Sequence, residues 1–344
     1  MRRQTILLAC ALALSAAASS ASAQDKEFNL KLSYWVPPSH LLTPGYKEWA
    51  ASMEKASNGT IKTTLFPSSQ LGAGGDHFDM VRRGVADIVL VNPGYTPGRF
   101  PVIGIVDLPF MADSAYKAAP AIKRFYAKYA EKEMPDVIVC HTFSHEPGTV
   151  ISKKVVKVPA DIKGLKIRTA NQTIASLVTG LGGSSVQVPI MEAADTLKRG
   201  ITDALTGTYD SLTHPAFKFH TVTEYTLDTK MYLATLLHLI SRKTYDSMSA
   251  AQKKVIDDHC TPEWSQKVYK HWYDDQVQRE DEIRKAGDKI TKITTIGAAE
   301  VDLWRKASEP IVATWKDSVT KAGHNADQVM EEFKSELKKA SALF

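Results

Sequence analysis

Apolar and polar positions alternate at period two from Phe28 to Val36 (FNLKLSYWV), which predicts a half-buried strand stopped by Pro37-Pro38. Apolar residues 46, 49, 50 and 53 then repeat at helical spacing over Tyr46 to Ala56. Asn58-Gly59 reads as a turn, and Thr60 to Phe66 as a second strand. A short helix is expected over Asp76 to Arg83, and an apolar strand over Asp87 to Val91. That strand runs into the turn Asn92-Pro93-Gly94. Strands alternating with helices at this spacing indicate βαβ units and a mainly parallel sheet.

A helix around Tyr116 to Lys132 and a strand over Val137 to Thr142 complete this first unit. From Val158 to Thr229 the rhythm starts again. Strands are expected at Leu165–Thr169, Ser185–Val188 and Asp203–Thr206, with helices at Ile174–Leu181 and Ala193–Arg199. A second unit with its own rhythm means a second α/β lobe. Beyond Ser249 the pattern turns to long helices. Ser249 and Gln252 form a capping box. Thr261-Pro262 opens a helix of roughly 25 residues that Gly287 can end, about 37 Å long at 1.5 Å per residue. That length would cross both lobes. Asn325 with Gln328 begins the last helix, and Pro310 is expected to break or kink the one before it.

The amino terminus alters this picture. Arg2 and Arg3 precede an apolar run from Thr5 to Ala18, and Ala21-Ser22-Ala23 supplies small residues for cleavage, the order of a secretory signal. The run is too short to cross a bilayer, and no later stretch approaches the roughly 20 apolar residues a span needs. Leu7-Leu8-Ala9-Cys10 imitates a lipoprotein site but lies inside the apolar run rather than after it. The expected product begins near Gln24 and is exported, and losing the two arginines lowers the formal charge of +5 by two. With 24% charged and 44% hydrophobic residues in 344, the chain has an ordinary globular composition, and no basic cluster suggests a nucleic-acid face.

Catalytic signatures fail one by one. Gly72-Ala73-Gly74-Gly75-Asp76-His77 places His77 where a dinucleotide loop needs its third glycine. G-x-S-x-G, H-E-x-x-H, C-x-x-C and Walker A sequences do not occur. His141 and His145 have metal-ligand spacing only on a helix, whereas their region reads as a strand. One buried and one loop histidine is therefore the expected arrangement. Cys140 and Cys260 remain after export. An oxidising compartment permits a bond between them, but two separate buried thiols are the expectation. No enzyme activity, metal or cofactor is expected.

One strand carries candidate binding chemistry. In Leu165-Lys166-Ile167-Arg168-Thr169, residues 165, 167 and 169 share a face, while Arg168 lies at the carboxyl end, where α/β sheets bind ligands. A helix starting after Asn171 would point its N-terminus nearby. A guanidinium there can hold a carboxylate through two parallel hydrogen bonds.

Several motifs together resemble a known family. They are Tyr34-Trp35, Leu71-Gly72, Gly84-x-Ala86-Asp87, Asp107-Leu108-Pro109-Phe110, Asp161-x-Lys163-Gly164-Leu165-Lys166-Ile167-Arg168 and Lys243 to Asp257. Taken in order they resemble the DctP-type substrate-binding proteins of tripartite ATP-independent periplasmic (TRAP) transporters. The resemblance implies a periplasmic receptor with a two-lobe α/β fold, a ligand cleft between the lobes and long C-terminal helices. Its implied partners are a small organic acid and a membrane permease pair driven by an ion gradient. The lobes would comprise residues 24–145 with about 231–260, and 146–230, with 261–344 as helices packing on both. Arg168 stands where the family binds the substrate carboxylate. Many members carry a second Arg where this chain has His145-Glu146-Pro147-Gly148, and G-Q-E-N-P where it has Ala204-Leu205-Thr206-Gly207-Thr208-Tyr209. One anionic anchor rather than two favours a monocarboxylic acid with an aromatic or polyol body. Position adds Trp35, His40, Asn92, Tyr95, His145 and Tyr209 as pocket candidates. The rival readings are the receptor of an ATP-driven importer and a secreted α/β enzyme.

Overall fold

The computed structural model describes residues 26–344, so the signal segment lies outside the described residues. Two sheets organise the chain. The first has the order β2-β1-β3-β10-β4, with β1 Phe28–Ser33, β2 Ile61–Phe66, β3 Ile88–Val91, β4 Val137–Ser144 and β10 Thr235–Ser241. The second has the order β11-β9-β5-β8-β6-β7. Its strands are β5 Thr149–Ser152, β6 Lys166–Arg168, β7 Ser184–Val186, β8 Ala204–Gly207, β9 Tyr225–Asp228 and β11 Lys292–Thr295. The strands within each βαβ unit pair in parallel, β1 with β2 and β3, and β6 with β7 and β8. The strands that carry the chain between sheets pair antiparallel: β10 with β3 and β4, and β5 with β8 and β9. Each sheet, with its helices, makes one lobe of a two-lobe α/β fold.

The chain crosses twice between the sheets, from β4 to β5 and back from β9 to β10. The crossings touch at Gly148 and Tyr232, where Gly148 N–H donates to the Tyr232 carbonyl at 2.8 Å and Met231 N–H to the Gly148 carbonyl at 2.9 Å. Asp107, in the D-L-P-F motif, braces the return. Its Oδ1 accepts from both the backbone N–H and the hydroxyl of Thr235, at 2.8 and 2.7 Å.

Eleven helices are described. Those used below are α1 Leu42–Ala56, α5 Gln172–Gly180, α9 Pro262–Ala286 and α10 Ala298–Lys321. Helix α9 has the expected start and length, capped by the Thr261 hydroxyl. Near its start, Ser265 Oγ accepts from Thr142 N–H in the first sheet. Near its end, Ile283 joins the second lobe's core and Arg284 pairs with Asp228.

Three expectations are corrected. Helix α10 is not broken at Pro310, because buried tryptophans pin it on both sides of the proline. Trp304 Nε1–H donates to the Lys157 carbonyl and Trp315 Nε1–H to that of Pro101. The tail is not all helix, since β11 pairs in parallel with β9 at the edge of the second sheet. Cys140 and Cys260 are joined in a disulfide rather than separate. Cys140 on β4 meets the residue just before the α9 cap, and the carbonyl of His259 beside it accepts from Trp49 Nε1–H of α1. A separation of 120 residues conceals this proximity in the sequence.

Candidate functional site

Arg168 is held by its strand ends. Gly164, at φ +77°, turns the chain into β6, and Lys166 N–H donates to Asp203 Oδ2 at the neighbouring strand's entry. Ile167 packs into the core, while Arg168, 2% exposed, reaches the cleft. Its Nε–H donates to the Val188 carbonyl at 2.9 Å and Nη1–H to that of Thr206 at 3.4 Å. Two neutral carbonyls orient the guanidinium without cancelling its charge. It forms no salt bridge with a carboxylate among the described residues. A buried charge without a counter-ion is costly, and an anionic ligand relieves that cost.

The cavity around Arg168 encloses about 660 Å³, its open mouth included. Trp35, His40, Asn92, Tyr95 and His145 line it together with Arg168. Six of the seven residues singled out from sequence therefore meet in one space. Tyr209 does not: its hydroxyl donates to Asp228 Oδ1 at 3.1 Å, its ring lies under the Arg284 guanidinium, and it packs in the second lobe's core. The neighbours Thr208 and Asp210 line the cleft instead. The start of α5 contributes less than expected. Asn171 caps its own helix through Ile174 N–H, and Ala170 N–H is taken by Thr206 Oγ1.

Sequence reasoning missed Tyr232, Asp210 and Trp272. Tyr232 comes from the returning crossing, which alternation alone does not mark. Its hydroxyl is buried, with the Thr206 side chain beside it and no other hydrogen-bond partner among the described residues. Burial pushes that phenol up to about 12 and keeps it a donor. A Cβ on Gly148 would lie 2.6 Å from the Tyr232 ring, so only glycine permits this close approach of the crossings. His145 stands edge-on to Tyr232 at 5.4 Å. Trp272, on α9, also lines the cavity, and its buried indole N–H has no partner.

The cleft's other polar groups are neutral or anionic. Burial lowers His145, and its Nδ1–H donates to the Glu146 carbonyl, leaving Nε2 as an acceptor. Burial, helped by His214, lowers His40 to about 3, so its ring is neutral near pH 7. His40 Nδ1 accepts from Leu42 N–H, which places the proton on Nε2. Asn92 Oδ1 accepts from Gly94 N–H, so its turn work and its cavity position coexist. Trp35 and Tyr95 supply an aromatic wall at 5.6 Å between centroids. His141, by contrast, is buried away from the cleft, bonded to His238 Nδ1 and the His259 carbonyl. Arg168 is thus the one cation on the cavity lining among the described residues.

Two lobes, paired crossings and a deep cleft with a single buried cation define a solute-binding receptor for a small organic anion. The chain belongs to the DctP family, bacterial extracellular solute-binding protein family 7, whose model matches residues 32–318. Its structure is similar to that of a marine metagenome TRAP solute-binding protein specific for aromatic acid ligands, solved with 3-hydroxybenzoate. The identity is 29%, the TM-score 0.82, and the match covers 92% of this chain and 99% of that one. It is similar also to a TRAP solute-binding protein from Rhodoferax ferrireducens with copurified benzoate, at 25% identity and TM-score 0.83 over 91% of this chain and 98% of that one. A solute-binding protein of Albidiferax ferrireducens is 27% identical over 51% of this chain and 54% of its own length.

Proposed function

We propose that this receptor captures an aromatic monocarboxylic acid between its lobes and delivers it to the permease of a TRAP transporter. In this reading it acts outside the cytoplasm without catalysing a reaction. Of the described residues, 26–145 with about 231–260 form one lobe, 146–230 with the edge strand β11 the other, and the C-terminal helices pack on both. The observation that carries the ligand class is the buried, unpaired Arg168 with the orphan Tyr232 hydroxyl in the same cavity. A carboxylate can take the guanidinium's free N–H groups and the phenol donor together, and charge-assisted bonds of this kind are the strong ones. Trp35, Tyr95, Phe217 and Trp272 offer ring surface to a flat body. A second ligand carboxylate would find no second cation and would meet Asp210. Binding contacts made to both lobes favour the closed state.

Calorimetric titration of protein refolded free of ligand tests this. Benzoate, 3-hydroxybenzoate and mandelate should include at least one tight one-to-one ligand, while succinate and hexuronates bind weakly or not at all. Tight binding of a dicarboxylate with none of the aromatic acids would overturn the reading.

A further inference from the structure

At the end of the cleft where α9 passes, a second polar pair has no assigned duty. Asp210, 2% exposed, accepts a single side-chain bond, from Gln276 Nε2 to Oδ1 at 3.1 Å. Its Oδ2 takes no bond from any described residue and is left open to the cleft that Asp210 lines, and a carboxylate oxygen can accept further hydrogen bonds. One turn back along α9 from Gln276 stands Trp272, 7% exposed, whose Nε1–H is buried and unpartnered. Residues four apart share a helix face, and both Trp272 and Asp210 line the cavity. The cleft therefore holds an open acceptor and an unfilled donor in one lining, besides the carboxylate-binding end at Arg168. A hydroxyl group satisfies both at once, donating to Oδ2 and accepting from the indole N–H. An ether can only accept, and a carboxylate would be repelled.

We propose that Asp210 and Trp272 form a hydroxyl-selecting subsite that makes the preferred ligand a hydroxylated aromatic acid. The proposal rests on the aromatic-acid reading above. It also fixes the ligand's direction, because the anionic end cannot lie against Asp210. Asp210 accordingly acts as a specificity residue, whereas Arg168 supplies the affinity common to all the acids.

The test compares dissociation constants of benzoate with those of 3- and 4-hydroxybenzoate and the matching methoxybenzoates, for wild type, Asp210→Asn and Trp272→Phe. Wild type should bind one hydroxy acid at least tenfold more tightly than benzoate and than the methoxy analogue. In Asp210→Asn the ratio of hydroxy-acid to benzoate affinity should shrink to about threefold or less. Trp272→Phe should lose part of the same preference. The asparagine keeps an acceptor for Gln276, so folding is preserved, and a melting curve checks it. An undiminished hydroxyl preference in Asp210→Asn would overturn the subsite. So would an equal loss for every acid, which marks a purely structural role. If wild type binds none of these acids, the aromatic-acid reading fails and the subsite falls with it.

Discussion

Replacing Arg168 with alanine should abolish most ligand affinity while leaving the protein folded. The guanidinium is buried, oriented by the carbonyls of Val188 and Thr206, and in no salt bridge with a carboxylate among the described residues. Removing one partner of a buried charge pair costs about 3–5 kcal/mol. At 1.4 kcal/mol per decade, that is roughly a hundredfold to several thousandfold weaker binding. Arg168→Lys retains the charge but not the planar fork, so its loss should fall between alanine and wild type. The empty variant need not be unstable. It forfeits two hydrogen bonds to carbonyls, each worth about 1 kcal/mol, but also a buried charge that has no partner. Calorimetric titration with the tightest aromatic acid reads the affinity, and thermal denaturation without ligand reads the fold. Burial of the pair adds a second signature, because binding should change little with added salt. A well-folded Arg168→Ala protein that binds within threefold of wild type would refute the reasoning.

Three further expectations concern closure, the crosslink and pH. A Cβ on Gly94 would lie 2.5 Å from the Asn171 Cβ, where the loop after β3 meets the start of α5, so Gly94→Ala should hold the lobes apart and weaken binding at least tenfold. Ligand-induced compaction by small-angle scattering should be reduced in that variant, and unchanged compaction would contradict it. The disulfide closes a loop of 120 residues, for which chain entropy suggests roughly 5 kcal/mol and measured removals give about 2–5. Paired serine substitutions should lower denaturant stability by that order. Burial raises Asp107 from 3.8 to about 7. Between those values the unfolded chain has released a proton that the folded protein keeps, so this group's contribution to stability falls as pH rises from about 4 to 7. Asp107→Asn preserves the acceptor for Thr235 and should flatten the dependence. Its melting advantage over wild type should grow from pH 5 to pH 8, and a constant difference would sink that assignment.

The local patterns that proved legible were those set by neighbouring residues. The capping residues Ser249, Thr261 and Asn325 start helices as expected, and Arg168 ends a strand at a cleft. What escaped depends on contacts distant in sequence. Tyr232 enters the cavity only because the crossings pair at Gly148, and Trp272 only because α9 runs past both lobes. Tyr209 and Asp210 are adjacent, yet the turn that begins there sends one to the core and the other to the cleft. Periodicity does not resolve a one-residue change of direction in a short turn. The disulfide and the passage of α10 through Pro310 were hidden for a related reason, since long-range packing overrode the local preference.

The most direct test of the carboxylate anchor is a crystal structure of the protein with its tightest aromatic acid bound. The carboxylate is expected within hydrogen-bond distance of the Arg168 guanidinium and the Tyr232 hydroxyl, with the ring between Trp35, Tyr95 and Trp272. A ligand seated in the cleft with its carboxylate on any other group, and Arg168 untouched, would contradict the account.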